Sequence, residues 1–337
     1  MELLSLWVVF LLSAFLIIIS GTKLSKYGDV IADKSGMGQA LVGAILIAGA
    51  TSLPELVTSS TAAYLGSPDI SLGNVFGSNT FNLMVLALAD IVQGPGPFML
   101  YGNSKHILAA LLGILLSALA TLFIVANYLL GLNIISLGIG LGSFVILFTY
   151  LVGSRLIFRY EKKNKDLAED ENPLYTDISL KSAAINFFFA AIVIIIAGIA
   201  LSYSGDRIAL LSGIDQTFMG TILIAAATSL PEIVAAFTAV KINAYDMAIG
   251  NVFGSNIFNM LIIFVIDIFY REGAVLASVS LSHTVTALIG LILSIIAIVG
   301  LFYRSKKTFL TIGWDSVAIF IIYFFGVYLL FQLGINF

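Results

Sequence analysis

A forty-residue block occurs twice in this 337-residue chain. Residues 43–82 align with 220–259 without a gap, at a constant offset of 177, and 24 of the 40 positions are identical. The first copy reads GAILIAGATSLPELVTSSTAAYLGSPDISLGNVFGSNTFN and the second GTILIAAATSLPEIVAAFTAVKINAYDMAIGNVFGSNIFN. Shared apolar composition would not bring Thr, Ser, Pro, Glu, Asn and Gly into register, so the block is a duplication. Any fold for the chain must offer both copies equivalent surroundings.

Those surroundings are a bilayer. Hydrophobic residues make up 60% of the chain and charged residues only 10%, where a soluble domain carries about a quarter charged. With no cysteine there is no disulfide, thiolate metal site or cysteine nucleophile, and two histidines cannot build a His-rich metal centre. The N-terminus lacks a basic region and a small-residue cleavage site, so it reads as a first membrane helix.

Ten segments have the roughly 20 apolar residues that a membrane helix needs: 3–20, 38–64, 70–92, 106–126, 130–152, 181–203, 216–241, 246–269, 281–303 and 311–334. The charged stretch 155–180 reads as a cytoplasmic linker between a first half, 1–154, and a second, 181–337. Ten spans put Lys23, Lys26, Lys34, Lys105, Arg155, Arg159, Lys162, Lys163, Lys165, Lys181, Lys241, Arg304, Lys306 and Lys307 on one side, against Arg207 and Arg271 on the other. Basic loops stay cytoplasmic, so both termini are expected outside the cell membrane. Five helices separate the copies, and five is odd, so the second copy sits upside down relative to the first. The expected fold is an all-α membrane protein of ten transmembrane helices in two inverted five-helix repeats, an organisation that places a site at the repeat interface near the midplane.

Glu55 and Glu232, one in each copy, fall near the middle of the second and seventh predicted helices. A charge at that depth costs at least about 2.5 kcal/mol, so the pair needs cations, protons or a wet cavity, and no Lys or Arg lies at that depth to neutralise it. Pro54 and Pro231 stand beside them and break the helical hydrogen bonding, freeing the carbonyls of Ala50 and Ala227 and turning neighbours toward a site. On the partner helices Ser78 and Asn82 share one face, as do Ser255 and Asn259. Gly73 and Gly77, with Gly250 and Gly254, have the small-xxx-small spacing of close helix packing. The set offers oxygen only, which suits hard cations such as calcium and does not suit zinc or copper. Asp90 and Asp267, also matched at 177, are expected as solvated helix-end acids, with vestibule acids that attract cations as the alternative. Asp29 and Asp206 are expected in connections.

At GATSLPE…GNVFGSNTFN and AATSLPE…GNVFGSNIFN the sequence resembles the sodium/calcium exchanger branch of the cation/calcium exchanger superfamily, in its prokaryotic form. The resemblance implies a secondary antiporter, not an enzyme and without a cofactor, that exchanges sodium for calcium by alternating access. By motif position Glu55 and Glu232 are the shared carboxylates. Thr51 and Thr228 offer carbonyls to calcium. Ala48 and Ala225 carbonyls, with the hydroxyls of Ser52, Ser78, Ser229 and Ser255, serve sodium, and Asn82 and Asn259 line the centre. The family's gate slides the first and sixth helices across the rest. Many relatives carry Asp where Asn259 stands, so the stoichiometry here is open. A proton/calcium exchanger, a cation channel and an intramembrane aspartyl protease are the competing readings, in that order. Sodium, calcium and lipid are the expected partners, with no nucleic acid; the oligomeric state is open.

Overall fold

A computed structural model describes residues 2–34, 49–131, 134–136, 138–164 and 178–336. Nearly all of it is helical. In chain order the elements are α1 (Glu2–Lys34), α2 (Leu53–Tyr64), α3 (Pro68–Gln93), α4 (His106–Leu130), α5 (Leu141–Asn164), α6 (Leu180–Ser212), α7 (Gln216–Thr228), α8 (Leu230–Lys241), α9 (Tyr245–Phe269), α10 (Ser282–Tyr303) and α11 (Trp314–Asn336). Among the described residues eight helices are long and apolar enough to cross a membrane, and α7 with α8, bent by 43°, makes up to nine. Of the expected second span, 38–64, only Gly49 onward lies within the described residues.

The helices stop where local chemistry stops them. Gly131 (φ 64°) and Gly213 (φ 75°) close α4 and α6 in the left-handed conformation that suits glycine. The Ser179 hydroxyl accepts from Ser182 N at the start of α6, and the Asp215 carboxylate accepts from Phe218 N at 2.9 Å at the start of α7. α3 and α9 are the central helices, buried along most of their length. The other spans turn Leu4, Leu11, Phe148, Phe188, Ile196, Phe302 and Phe324 outward, all exposed. Exposed apolar residues on this scale are a lipid-facing surface, and the chain is a multi-pass membrane protein.

Three expectations need correction. The fifth helix starts at Leu141, not 130, and runs to Asn164, into the stretch expected as linker. Between Gly131 and Leu141 the chain turns through glycines at positive φ (Gly131 and Gly138) and forms a hairpin, β1 (Ile135–Ser136) with β2 (Ile139–Gly140). Its isoleucines read as membrane helix on hydropathy alone. A second hairpin, β3 (Thr308–Phe309) with β4 (Ile312–Gly313), precedes α11 in the same way. Secondly, α1 and α6 have 33 residues each, about 50 Å at helical rise against a hydrocarbon core of about 30 Å. Asp29 and Asp206 therefore lie inside helices, not in connections, and Asp206 is buried, accepting from Ser67 Oγ and Gln216 Nε2.

Thirdly, Asp90 and Asp267 are not solvated. Both are buried. Asp90 accepts from Phe98 N at 3.0 Å and Gly313 N at 2.8 Å. Asp267 accepts from Val275 N at 2.8 Å, Gly140 N at 2.8 Å and Ser143 Oγ at 2.6 Å. Each acid therefore caps its own chain eight residues on and clasps the hairpin of the other half. A second reciprocal pair crosses the halves at the helix starts. Asp69 binds His283 Nε2 at 2.9 Å and Ser280 N at 2.7 Å. Asp246 binds His106 Nε2 and Asn103 N, both at 2.8 Å, and Lys105 at 2.7 Å. Charge-assisted bonds of this kind are among the stronger ones in a fold, and through them four carboxylates tie the ends of α3 and α9 to the opposite half.

α1 and α6 pack along each other and across the broken helices. A Cβ on Gly21 would stand 2.5 Å from Pro231 Cγ; one on Gly198, its equivalent at offset 177, would stand 2.9 Å from Val57 Cγ1 rather than meeting Pro54. Gly28 faces Ala50, whereas its equivalent Gly205 faces Ile224 rather than Ala227. Both pairs show the same displacement of three residues.

Candidate cation site

The two broken helices carry the site. At Ser52 (φ −90°, ψ 11°) and Ser229 (φ −89°, ψ 7°) the chain leaves helical geometry, and Pro54 and Pro231 then occupy the first turn of α2 and α8. Proline suits that position because its missing N–H is not needed there. Glu55 and Glu232 follow in the same first turn. Upstream of the second break, Met219–Ile224 form a π turn, a widening that recurs at functional sites.

Against these breaks lie α3 and α9. A Cβ on Gly77 would collide with the Thr221 backbone and Ala225, and one on Gly73 would reach Thr221 N at 3.0 Å. Only glycine lets α3 lie this close to α7. The expected small-residue packing holds for Gly73 and Gly77, where it joins opposite halves; a Cβ on Gly250 would instead meet the His106 ring.

Glu55 and Glu232 are fully buried, as are Thr51, Ser52, Ser78, Asn82, Thr228, Ser229, Ser255 and Asn259. Glu55 Oε1 accepts from Ser229 Oγ at 3.0 Å and from Ser78 Oγ at 3.4 Å. Thr51 Oγ1 and Ser255 Oγ are 3.0 Å apart, and their equivalents Thr228 Oγ1 and Ser78 Oγ are 3.4 Å apart. Hydroxyls of each copy thus meet the other copy. Ala225 O accepts from Ser229 N at 3.0 Å, and Thr228 Oγ1 stands 3.2 Å from it, so this carbonyl is already hydrogen-bonded in this conformation. Ala48 lies outside the described residues.

Several acceptors have no hydrogen-bond partner among the described residues: Glu55 Oε2, both carboxylate oxygens of Glu232, Asn82 Oδ1, Asn259 Oδ1 and Ser52 Oγ. Among the described residues no ion pair reaches either glutamate, and no three acids or histidines lie together. A buried acceptor without a donor is expensive, and a charged one more so. The chemistry that satisfies such a set is a hard cation bound by carboxylate, amide and hydroxyl oxygen.

Two residues not picked out from the sequence, Asn79 and Asn256, hold Asn82 and Asn259. Asn79 Nδ2 donates to Asn256 O at 3.3 Å, and Asn256 Nδ2 to Asn79 O at 3.2 Å. Asn82 Nδ2 donates to Asn256 Oδ1 and Asn259 Nδ2 to Asn79 Oδ1, both at 3.0 Å. Asn74 also enters, accepting from Thr228 Oγ1 at 3.0 Å and donating to Ser59 Oγ at 2.9 Å. The identity of GNVFGSN in both copies was the available signal, because it repeats three polar positions on a helix that is otherwise membrane core.

Such a fold and cluster define a multi-pass membrane protein built around a buried, acidic, oxygen-only centre. The family described as sodium/calcium exchanger protein matches residues 5–156 and 182–334, and the chain belongs to that family. An uncharacterized membrane protein of Methanocaldococcus jannaschii is 31% identical over 219 residues, covering 64% of this chain and 66% of that one, so the chain matches about two thirds of its length. The sodium/calcium exchanger MaX1 of Methanosarcina acetivorans is 32% identical over 114 residues, 34% of this chain and 30% of that one. Among solved structures, the sodium-calcium exchanger NCX_Mj soaked with 2.5 mM Na+ and 0.1 mM Sr2+ superimposes with a TM-score of 0.63 at 25% identity, covering 97% of this chain and 99% of that one.

Proposed function

We propose that the chain is a secondary antiporter that moves calcium against sodium across the cell membrane by alternating access. Ten helices in two inverted halves, joined by a cytoplasmic linker and with both termini outside, form the frame. Glu55 and Glu232 share the calcium ion. The amide oxygens of Asn82 and Asn259, the hydroxyls of Ser52, Ser78, Ser229 and Ser255, and the carbonyls of Thr51, Thr228, Ala48 and Ala225 complete the positions for calcium and sodium. The observation that carries this reading is that Glu55 Oε2, both carboxylate oxygens of Glu232 and the amide oxygens of Asn82 and Asn259 are all buried and all without a hydrogen-bond or basic partner among the described residues. Two carboxylates balance one divalent ion or two monovalent ions, so calcium and sodium compete for the same oxygens.

The displacement of α1 and α6 supports alternating access. With Gly21 on Pro231 but Gly198 on Val57, the long helices sit three residues off the symmetric position, about 4.5 Å of helical rise. Exchanging the two contact patterns yields the opposite-facing state. Membership of the exchanger family, and likeness to the sodium/calcium exchanger MaX1 and the sodium-calcium exchanger NCX_Mj, support sodium as the coupling ion.

Radioactive calcium uptake into proteoliposomes, driven in turn by outward sodium, lithium, potassium and proton gradients, tests the proposal. Uptake driven by sodium alone is expected. Uptake driven by a pH gradient and indifferent to sodium would assign a proton/calcium exchanger instead.

A further inference from the structure

The carboxamide of an asparagine can present either its oxygen or its NH2 to a cation site, and only the oxygen binds. In this structure the choice is made by a chain of hydrogen bonds that begins at the main chain. The Asn256 carbonyl can only accept, so Asn79 must turn its Nδ2 toward it, at 3.3 Å, with Met260 Sδ at 3.2 Å as a second acceptor. That leaves Asn79 Oδ1 to accept from Asn259 Nδ2 at 3.0 Å. Asn259 Oδ1 is then the free end, buried and without a donor among the described residues. The mirror chain runs from the Asn79 carbonyl through Asn256 Nδ2 at 3.2 Å and Asn256 Oδ1 to Asn82 Nδ2 at 3.0 Å, and ends at a free Asn82 Oδ1. Reversing either terminal amide would set oxygen against oxygen.

We infer that Asn79 and Asn256 are positioning residues that fix the amide polarity of the opposite half: Asn79 aims the Asn259 oxygen, and Asn256 the Asn82 oxygen, into the cation site. This rests on the proposed cation site at Glu55 and Glu232. Because the partner of each chain's first link is a main-chain carbonyl, Asn79→Ala leaves the Asn256 chain intact. The effect of each substitution is therefore carried by one named amide in the other half.

A double-mutant cycle on detergent-purified full-length protein tests the assignment, with calcium alone as the probe and thermal unfolding as the check of fold. Asn79→Ala is expected to weaken calcium binding about tenfold, the loss of one buried charge-facing oxygen. In an Asn259→Ala background it should change binding less than about twofold, and in an Asn82→Ala background it should keep its full tenfold effect. Asn259→Ser, which retains an oxygen, stands in if Asn259→Ala binds no calcium, and Asn79→Ser, too short to reach Asn259, stands in if Asn79→Ala does not fold. Equal, additive effects in both backgrounds would show a structural role without polarity and overturn the inference. Absence of calcium binding by the unsubstituted protein would instead remove the cation site on which it rests.

Discussion

The two copies of the repeat share the TSLPE and GNVFGSN segments and differ in what their carboxylates touch. Glu55 Oε1 is held by Ser229 and Ser78. Glu232, whose equivalent residues are Ser52 and Ser255, has neither oxygen bonded among the described residues, and the Ser52 hydroxyl has no partner there either. Since the groups are identical, conformation makes the difference, and it goes together with the three-residue displacement of α1 and α6. A second difference is written into the chain. Asn74 binds Ser59, whereas Ala236 stands at the position equivalent to Ser59 in the second copy, and both ends of the Asn251 amide are without a partner among the described residues. One asymmetry should reverse during transport, and the other should persist.

The sharpest way to break the comparison is to neutralise each glutamate in turn. Glu55→Gln and Glu232→Gln should each reduce sodium-driven calcium uptake more than a hundredfold while the protein still purifies as a folded species. A large loss in one variant alone would mean that the two copies are not equivalent in the working cycle.

The clasps come next in size. Asp267→Ala removes the acceptor of two buried main-chain amides and a serine, and should cost about 2–5 kcal/mol, read as a lowered thermal midpoint. Asp90→Ala removes two amide partners and should cost less. An unchanged midpoint in either would contradict a structural clasp.

Asn259→Asp adds a proton-binding group to one copy only. Calcium uptake should become more sensitive to pH than in the unsubstituted protein, and an unchanged pH profile would place Asn259 outside the site. The smallest effect concerns the fixed asymmetry. Ala236→Ser offers Asn251 the hydroxyl that Ser59 gives Asn74 and should raise stability by about 1 kcal/mol; Ser59→Ala should lower it by a similar amount. Thermal unfolding in one detergent decides both.

Much of this organisation was legible in the chain. Hydropathy located the helices that face lipid on one side, because membrane burial demands long apolar runs. It misplaced α5, where the isoleucines of a hairpin have the same hydropathy as a helix, and glycine turns rather than polarity mark the break. It also cut α1 and α6 short, because Lys23, Lys26 and Asp29 look like a loop while a helix continues past the hydrocarbon core. The offset of 177 brought Glu55, Glu232, Ser78, Ser255, Asn82 and Asn259 to attention; hydrogen bonds join Glu55 to Ser78, and Asn82 and Asn259 to Asn256 and Asn79. The role of Asp90 and Asp267 was not legible. Their partners are main-chain amides in the other half, and no side-chain pattern announces a main-chain donor. The polarity of the asparagine amides was hidden for the same reason.

Calcium binding measured on the unsubstituted protein and on the two Glu→Gln variants tests the shared carboxylate centre most directly. One calcium per chain, displaced by sodium and lost when either Glu55 or Glu232 becomes Gln, is the expected result. Undiminished affinity in either variant would show that the ion does not lie between the two copies.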